Sequence, residues 1–345
     1  MNVLVTGGAG FIGSAFVRYV LAHSASARVF TLDKLTYAGN LENLVSVQSD
    51  SRHRFIHGDI GDGRLVTSVL RDERIDAVVH FAAESHVDRS ILSADDFIAT
   101  NVRGTLTLLD AARAATVGRF LLVSTDEVYG DIEAPLEADE TFPLRPSSPY
   151  AASKAAADLL ALSYVRTFGL PVLITRASNT YGPYQFPEKL IPLMISNAIE
   201  GMPLPVYGDG QQVRDWLHVD DHCRGILDVL RHGRDGDVYN IGGNCPLTNQ
   251  EVIRRVLDIV GAPETLMRTV ADRPGHDRRY ALNCEKIARI SGFAPQVPFD
   301  AGLAQTVQWY RNNSDWVSRV RSGEYREYYR KNYGWRTATE TATPR

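Results

Sequence analysis

Val3-Leu4-Val5-Thr6-Gly7-Gly8-Ala9-Gly10-Phe11-Ile12-Gly13 is the stretch whose reading decides the fold. A short apolar run gives way to three glycines spaced three apart, and a helical pattern runs on from Phe11 to Ala22. Glycines let a backbone turn tightly and approach a pyrophosphate, which then rests on the open N–H groups of the helix start. Twenty residues after Gly13 the next apolar run, Val29–Leu32, ends on Asp33. That is the spacing of a carboxylate that bonds an adenosine ribose. Gly7, Gly10, Gly13 and Asp33 therefore predict a dinucleotide site. A carboxylate there repels a 2′-phosphate and so favours NAD over NADP, a preference that the neighbouring Lys34 weakens. Asp59, after a third apolar run, fits beside the adenine edge.

Outward from this unit, Phe55–His57, Ala77–His80, Phe120–Ser124 and Val172–Thr175 read as further buried strands. Helical patterns lie at Gly104–Ala115 and Ala151–Phe168. Strands alternating with helices predict a parallel sheet covered on both faces. Beyond Tyr181 the chain becomes loop-rich, with Gly182-Pro183, Met202-Pro203-Leu204-Pro205 and Gly208-Asp209-Gly210, and carries helical patterns at Gln250–Val260, Glu285–Ile290 and Gly302–Asn312. The expectation is an α/β, Rossmann-type doubly wound parallel sheet with a smaller α+β C-terminal lobe. The cofactor domain spans 1–180, with returning segments around 217–243. The lobe occupies 181–333, and 334–345 form a short, Thr-rich, flexible tail.

Among 345 residues, 44% hydrophobic and 23% charged, a net charge of -4 leaves no basic run that would call for nucleic acid or an anionic membrane surface. Bound anions must be held by local groups. Cys223, Cys245 and Cys284 lie far apart without a Cys-x-x-Cys pair, which predicts buried free thiols in a reducing compartment and no metal site. The N-terminus runs straight into a strand pattern without a signal-peptide core, and no apolar run is long enough to span a membrane. The expected location is the cytoplasm.

Tyr150-Ala151-Ala152-Ser153-Lys154 sets a phenol and an ammonium four apart on one helix face. A phenol that ionises at about 10 is a poor base at neutral pH. An adjacent ammonium stabilises the phenolate and can also bond a nicotinamide ribose. Upstream, Ser124-Thr125-Asp126 ends a strand with a hydroxyl for substrate. Tyr150, Lys154 and Thr125 together point to hydride transfer.

These motifs resemble the extended short-chain dehydrogenases that act on nucleotide sugars. The likeness is closer still to the dTDP-glucose 4,6-dehydratase group. It is carried by Asp33–Asn40, Ala82–Ser90, Ser124–Gly130, Tyr181–Tyr184, Pro187–Pro192 and Arg273–Asp277. It runs from residue 1 to about 312. The resemblance implies that NAD stays bound through each turnover, that Glu127 acts as base and Asp126 as acid in a water elimination, and that Thr125 bonds the C4 oxygen. It adds Phe11, Ile12, Thr36, Ile60, Ala82, Ala83, Ser85, Thr100 and Thr180 to the cofactor contacts, with Tyr150 and Lys154 touching the nicotinamide ribose. For a nucleotide-diphosphate sugar, with dTDP-glucose the family default, it implies Ser85, Thr125, Asn179, Lys189, Leu190, Pro205, Tyr207, Asn249, Arg273 and His276. Arg214, whose fork suits phosphate, is the leading phosphate ligand.

Adjacent strand residues point to opposite faces. Asp126 and Glu127 can reach one sugar only if the strand has ended and the backbone turns there. Two positions depart from the family pattern: Thr180, where many relatives carry asparagine, and His218, where an aromatic is common. Like its relatives, the chain is expected to form a homodimer through a four-helix bundle, with Phe97–Ala115 and Ala151–Phe168 as the pairing helices. Rival readings are a 4-epimerase or a decarboxylase on the same scaffold, or a non-catalytic NAD-sensing protein. The paired acids argue against the epimerase, and the intact Thr125, Tyr150 and Lys154 argue against the sensor.

Overall fold

The computed structural model describes residues 1–322. The tail expected at 334–345, and residues 323–333 of the expected lobe, lie outside the described residues. The glycine-rich stretch sits between strand β1 (Asn2–Thr6) and helix α1 (Phe11–His23). From there the chain alternates: β2 (Arg28–Asp33), β3 (His53–His57), α2 (Gly63–Asp72), β4 (Ala77–His80), then α3 (Val87–Leu92), α4 (Asp95–Phe97) and α5 (Thr105–Ala114). Strand β5 (Arg119–Thr125), helix α6 (Pro149–Phe168) and strand β6 (Val172–Ala177) complete the first half. The pattern expected as one helix over Phe97–Ala115 is broken by a π-helical stretch, Ile98–Gly104, between α4 and α5. Wide π turns often sit at functional sites. This one buries Asn101, whose amide takes the backbone N–H of Glu84 and donates to the Glu84 carbonyl and to Ser153 Oγ.

Strands β7 (Asn179–Tyr181), β8 (Leu204–Tyr207), β9 (Val213–His218), β10 (Val238–Ile241), β11 (Pro246–Thr248) and β12 (Met267–Val270) follow. Between and after them lie α7 (Leu190–Glu200), α8 (Val219–His232), α9 (Asn249–Val260), α10 (Glu285–Ser291), α11 (Phe299–Asn312) and α12 (Ser314–Arg321). The main sheet has seven strands in the order β10-β6-β5-β4-β1-β2-β3, all parallel. One of its faces packs on α1 and α8 through residues such as Phe16, Val20, Ile226 and Leu230. The other packs on α2, α5 and α6 through Val66, Leu108 and Ala161. Both faces are thus apolar, as buried parallel strands must be. A separate core gathers α7, α9 and α11 against the β7–β9–β11 sheet, around Tyr181, Met194, Ile253 and Leu303.

Of the three cysteines only Cys223 is buried; Cys245 and Cys284 are half-buried. The expectation of three buried thiols fails for the latter two because they lie in loops at the margins of cores, Cys284 against that of the α1 and α8 face and Cys245 against the separate core around α7, α9 and α11. No helix among the described residues is long and apolar enough to cross a membrane. No group of three or more His, Cys, Asp or Glu side chains among them could hold a metal ion.

Candidate active site

The glycines earn their places by steric need. Gly7 has φ +68°, and a Cβ on it would lie 2.6 Å from the backbone nitrogen of Ala82. A Cβ on Gly13 would lie 2.3 Å from the Gly7 carbonyl. Only bare backbone passes between β1 and β4 and into α1 here. Among the described residues no side chain caps α1 at Gly10, which leaves its first N–H groups open to a ligand. This is a cradle for a pyrophosphate. Asp33 ends β2 and fixes the cradle, taking the Ala9 N–H at 3.0 Å and the Leu35 N–H at 2.8 Å. Burial pushes its carboxyl upward, against these bonds.

One cavity runs from this cradle to the ends of β5 and β7. Gly7, Gly10, Phe11, Ile12 and Gly13 line its start, with Asp33, Lys34, Thr36 and Ile60 beside them. Ala82, Ala83, Ser85 and Thr100 follow, then Tyr150, Lys154 and Thr180. Of the predicted cofactor residues only Asp59 is set back from this lining. It reaches the cavity through Lys34, whose ammonium is 3.6 Å from Asp59 Oδ2 and 3.3 Å from Thr100 Oγ1. The glycine cradle, the helix start and the acid at the end of β2 fit a dinucleotide.

Strand β5 stops at Thr125, and Asp126–Tyr129 form a 3-10 turn. Thr125 caps the turn by taking the Glu127 N–H on Oγ1 at 3.3 Å. The turn breaks the strand's alternation, so Asp126 and Glu127 both line the cavity, as does Thr125. Asp126 is 2% exposed, and Thr125 Oγ1 donates to its Oδ1 at 3.2 Å. Burial, then the charge of Glu127, hold the Asp126 carboxyl well above the usual range. Glu127 is raised as well, by burial, while Arg273, Lys189 and Arg214 pull it down. Asp126 is thus poised as an acid, and Glu127 is the carboxylate that cations favour.

Helix α6 starts on Ser148, whose Oγ takes the Ala151 N–H, with Pro149 at the first helical position, where no N–H is needed. Tyr150 and Lys154 are therefore rigidly set one turn apart at the cavity wall. Lys154 donates to the Val123 carbonyl at 2.8 Å, and burial pulls it down to about 8. Burial, then the charge of Glu127, push the Tyr150 phenol strongly up, with hydrogen bonding to Thr125 opposing them. Left to these groups Tyr150 keeps its proton. A further positive charge at the cavity is what would bring it into working range.

A family profile described as GDP-mannose 4,6 dehydratase matches residues 4–306. A dTDP-glucose 4,6-dehydratase of Streptomyces niveus is 53% identical over 327 residues, covering 93% of this chain and 96% of that one. The chain belongs to the dTDP-glucose 4,6-dehydratase family. A member from Xanthomonas campestris pv. campestris (strain B100) is 52% identical over 94% of this chain and 97% of its own. The crystal structure of DesIV, a dTDP-glucose 4,6-dehydratase from Streptomyces venezuelae with NAD and TYD bound, is 56% identical with a TM-score of 0.91, covering 93% of this chain and all of that chain.

In this family member the predicted substrate residues divide. Ser85, Thr125, Asn179 and Lys189 line the cavity. Leu190, Pro205, Tyr207, Arg214, Asn249, Arg273 and His276 stand outside that lining. Asp88 ties two of these together: Tyr207 OH donates to its Oδ2 at 2.8 Å and Arg273 Nη1 to its Oδ1 at 3.1 Å. His276 meets Tyr207 edge-on, with ring centroids 5.9 Å apart. Leu190 and Asn249 begin α7 and α9, and Pro205 lies on β8. Arg214, the expected phosphate ligand, is turned inward. It is 5% exposed, stacks on Tyr280, and donates from Nη1 and Nη2 to the carbonyls of Val213 and Asp277. A buried guanidinium must satisfy its donors inside the protein. Its charge still reaches Asp126 and Glu127.

The two departures from the family pattern resolve into local structure. Thr180 lines the cavity and shares a 2.9 Å hydrogen bond with His222 Nδ1. His218 caps α8, its Nδ1 taking the Asp220 N–H at 3.3 Å. Sequence reasoning missed Glu84, Gln185, Phe186, Glu188 and His222 as cavity residues. Glu188 carried a signal, since it stands beside Lys189 in the quoted Pro187–Pro192 segment. Tyr37 OH donates to its Oε1 at 3.3 Å, and burial lifts its carboxyl to about 7. His222 carried none, for it sits in an amphipathic helix like any core-facing histidine.

Proposed function

We propose that the protein is a dTDP-glucose 4,6-dehydratase, which converts dTDP-glucose to dTDP-4-keto-6-deoxyglucose. What supports this most is the turn after β5, which sets Asp126 and Glu127 on the same cavity as Thr125, Tyr150 and Lys154. Bound NAD supplies the acceptor for the C4 hydride and the donor of that hydride to C6. Gly7, Gly10 and Gly13 with the start of α1 hold its pyrophosphate, and Asp33 its adenosine ribose. Tyr150 takes the proton of the C4 hydroxyl, Lys154 stabilises the phenolate, and Thr125 donates to the C4 oxygen. The resulting 4-ketone acidifies the C5 hydrogen, which Glu127 removes. Asp126 gives its proton to the C6 hydroxyl, which leaves as water. C5 is reprotonated once C6 has been reduced. Net oxidation is zero, so nothing in the cycle requires the cofactor to leave.

The sugar nucleotide is gripped by Ser85, Asn179 and Lys189 at the cavity and by Leu190, Pro205, Tyr207, Arg214, Asn249, Arg273 and His276 beyond it. Residues 1–180 with returning segments around 217–243 serve the cofactor, and 181–333 mainly the sugar nucleotide. A homodimer pairs the helices of Phe97–Ala115 and Ala151–Phe168, whose Ile98, Leu106, Leu159 and Phe168 are exposed apolar residues. The enzyme works in the cytoplasm.

The test is to incubate the protein with dTDP-glucose in deuterated water without added NAD. A 4-keto-6-deoxy product with deuterium at C5 supports the proposal. Recovery of the galactose epimer would contradict it, because epimerisation at C4 has no use for Asp126.

A further inference from the structure

A buried charge pair lies beneath the catalytic face of α6. Tyr150, Lys154 and Asp158 recur every fourth residue, which places them along one ridge of the helix. Asp158 is 0% exposed, and its Oδ2 takes the Arg176 Nε–H at 2.8 Å. Its Oδ1 is buried and accepts no hydrogen bond among the described residues. Arg176 stands on β6 in register with Ser124 of β5, which lines the cavity. Arg176 Nη1 donates to Tyr129 OH at 2.9 Å, and that hydroxyl donates to Asn240 Oδ1 at 2.8 Å. The pair is thus locked between α6, β6 and the turn that carries Asp126 and Glu127.

Packing alone does not call for charges here. Replacing a buried ion pair by apolar side chains of similar volume is often neutral or stabilising. A carboxylate with one oxygen left without a hydrogen bond is a poor choice for adhesion. Its difference from an apolar residue is its field. We propose that Asp158, ion-paired with Arg176 and one turn along α6 from Lys154, is a positioning residue whose negative charge sets the pH range in which Tyr150 and Lys154 act together. This rests on the roles given to Tyr150 and Lys154 above.

The groups that face the pair act in known directions. Around Lys154 stand Tyr150 and Asp158 on its own helix, the Val123 carbonyl on β5, Arg176 on β6, and His80 on β4, which burial holds neutral. Burial pulls Lys154 down, and Asp158 pulls it back up. Tyr150 faces Glu127 and Asp126 from the turn, and the charge of Asp158 adds to theirs in disfavouring the phenolate. Removing that charge therefore eases both deprotonations. The acid limb, from Tyr150, and the basic limb, from Lys154, both move to lower pH.

The experiment is kcat/KM for dTDP-glucose against pH in wild type, Asp158→Asn and Asp158→Glu. The expected result is that both limbs of Asp158→Asn slide to lower pH by about one unit, while Asp158→Glu restores the wild-type profile. A profile reduced in height with both limbs in place overturns the proposal, since that is what loss of a structural prop does. Asp158→Asn leaves Arg176 without its countercharge, so Asp158→Asn with Arg176→Gln provides a neutral pair, for which a smaller slide in the same direction is expected. If wild type does not dehydrate dTDP-glucose, the functional reading fails separately. The Tyr150 phenolate absorbance, taken as each protein minus its Tyr150→Phe counterpart, then decides the matter. Ionisation at lower pH in Asp158→Asn supports the proposal, and an unchanged titration overturns it.

Discussion

Asp126 and Glu127 are neighbours to which the proposal gives different work, and their surroundings differ accordingly. Asp126 is enclosed beside a carboxylate, so burial and that charge hold its carboxyl well above the usual range; Glu127 lies in the field of Arg273, Lys189 and Arg214. On the proposed mechanism Asp126→Asn removes the proton donor for the C6 hydroxyl but leaves C4 oxidation intact. Under single turnover with dTDP-glucose, absorbance of the reduced cofactor should accumulate, and product should form about 10²–10⁴-fold more slowly. Tyr150→Phe should give no accumulation, because oxidation itself is blocked. Lys154 sets a second expectation. Its working form is the ammonium, and burial has brought its folded-state pKa from 10.5 down to about 8. Activity should therefore fall as pH rises through about 8. A basic limb of kcat/KM near 10 would contradict this. Both residues were legible in the sequence through the spacing from Tyr150 to Lys154. The field around Asp126 was not, because Arg214 and Arg273 lie far away along the chain.

Among elements, the glycine turn between β1 and α1 was the clearest signal, since Gly7 and Gly13 each answer a close backbone approach. Gly13→Ala drives a methyl towards the Gly7 carbonyl, 2.3 Å away. The variant should lose its dinucleotide on gel filtration while wild type keeps it, as measured by nucleotide content after denaturation; full retention would contradict the cradle. The turn after β5 was also foreseen, because two acids can serve one site only where a strand ends. Helices α7 and α8 were not, and their region reads as loops. In α7 the obstacle is Pro192, which resembles a helix breaker. It is the third helical residue, where the backbone N–H has no intrahelical partner to lose. In α8 the cap is His218, an unusual residue for that position. The meeting of Tyr37 with Glu188 joins loops 151 residues apart, and no local pattern announces it.

Across the whole molecule, a net charge of -4 coexists with a site surrounded by Lys189, Arg214 and Arg273. Local cations therefore act on the cavity although the overall charge is negative. Two cores meet at β9, which gives Leu217 to one and Trp216 to the other, so a loop-rich second half is still anchored on both sides of that strand. His80 joins sheet to helix, with hydrogen bonds to Thr6 Oγ1 at 2.7 Å and Thr105 Oγ1 at 3.0 Å. Burial holds it at about 3, below the unfolded value of 6.5. The unfolded chain therefore binds more protons between these values. The stability from His80 is complete above 6.5 and is lost as pH falls, by about 1.4 kcal/mol per unit. The stability difference between wild type and His80→Gln in urea should narrow by about 2 kcal/mol from pH 7.5 to 5. A constant difference would contradict a neutral buried imidazole.

The account depends on a hydride that leaves C4 and returns to C6 of the same sugar while the cofactor stays in place. The most direct measurement is turnover of dTDP-glucose deuterated at C4, mixed with substrate carrying carbon-13 throughout the hexose. Deuterium should appear at C6 of the carbon-12 product alone. Deuterium retained at C4, or found at C6 of carbon-13 molecules, would contradict the account.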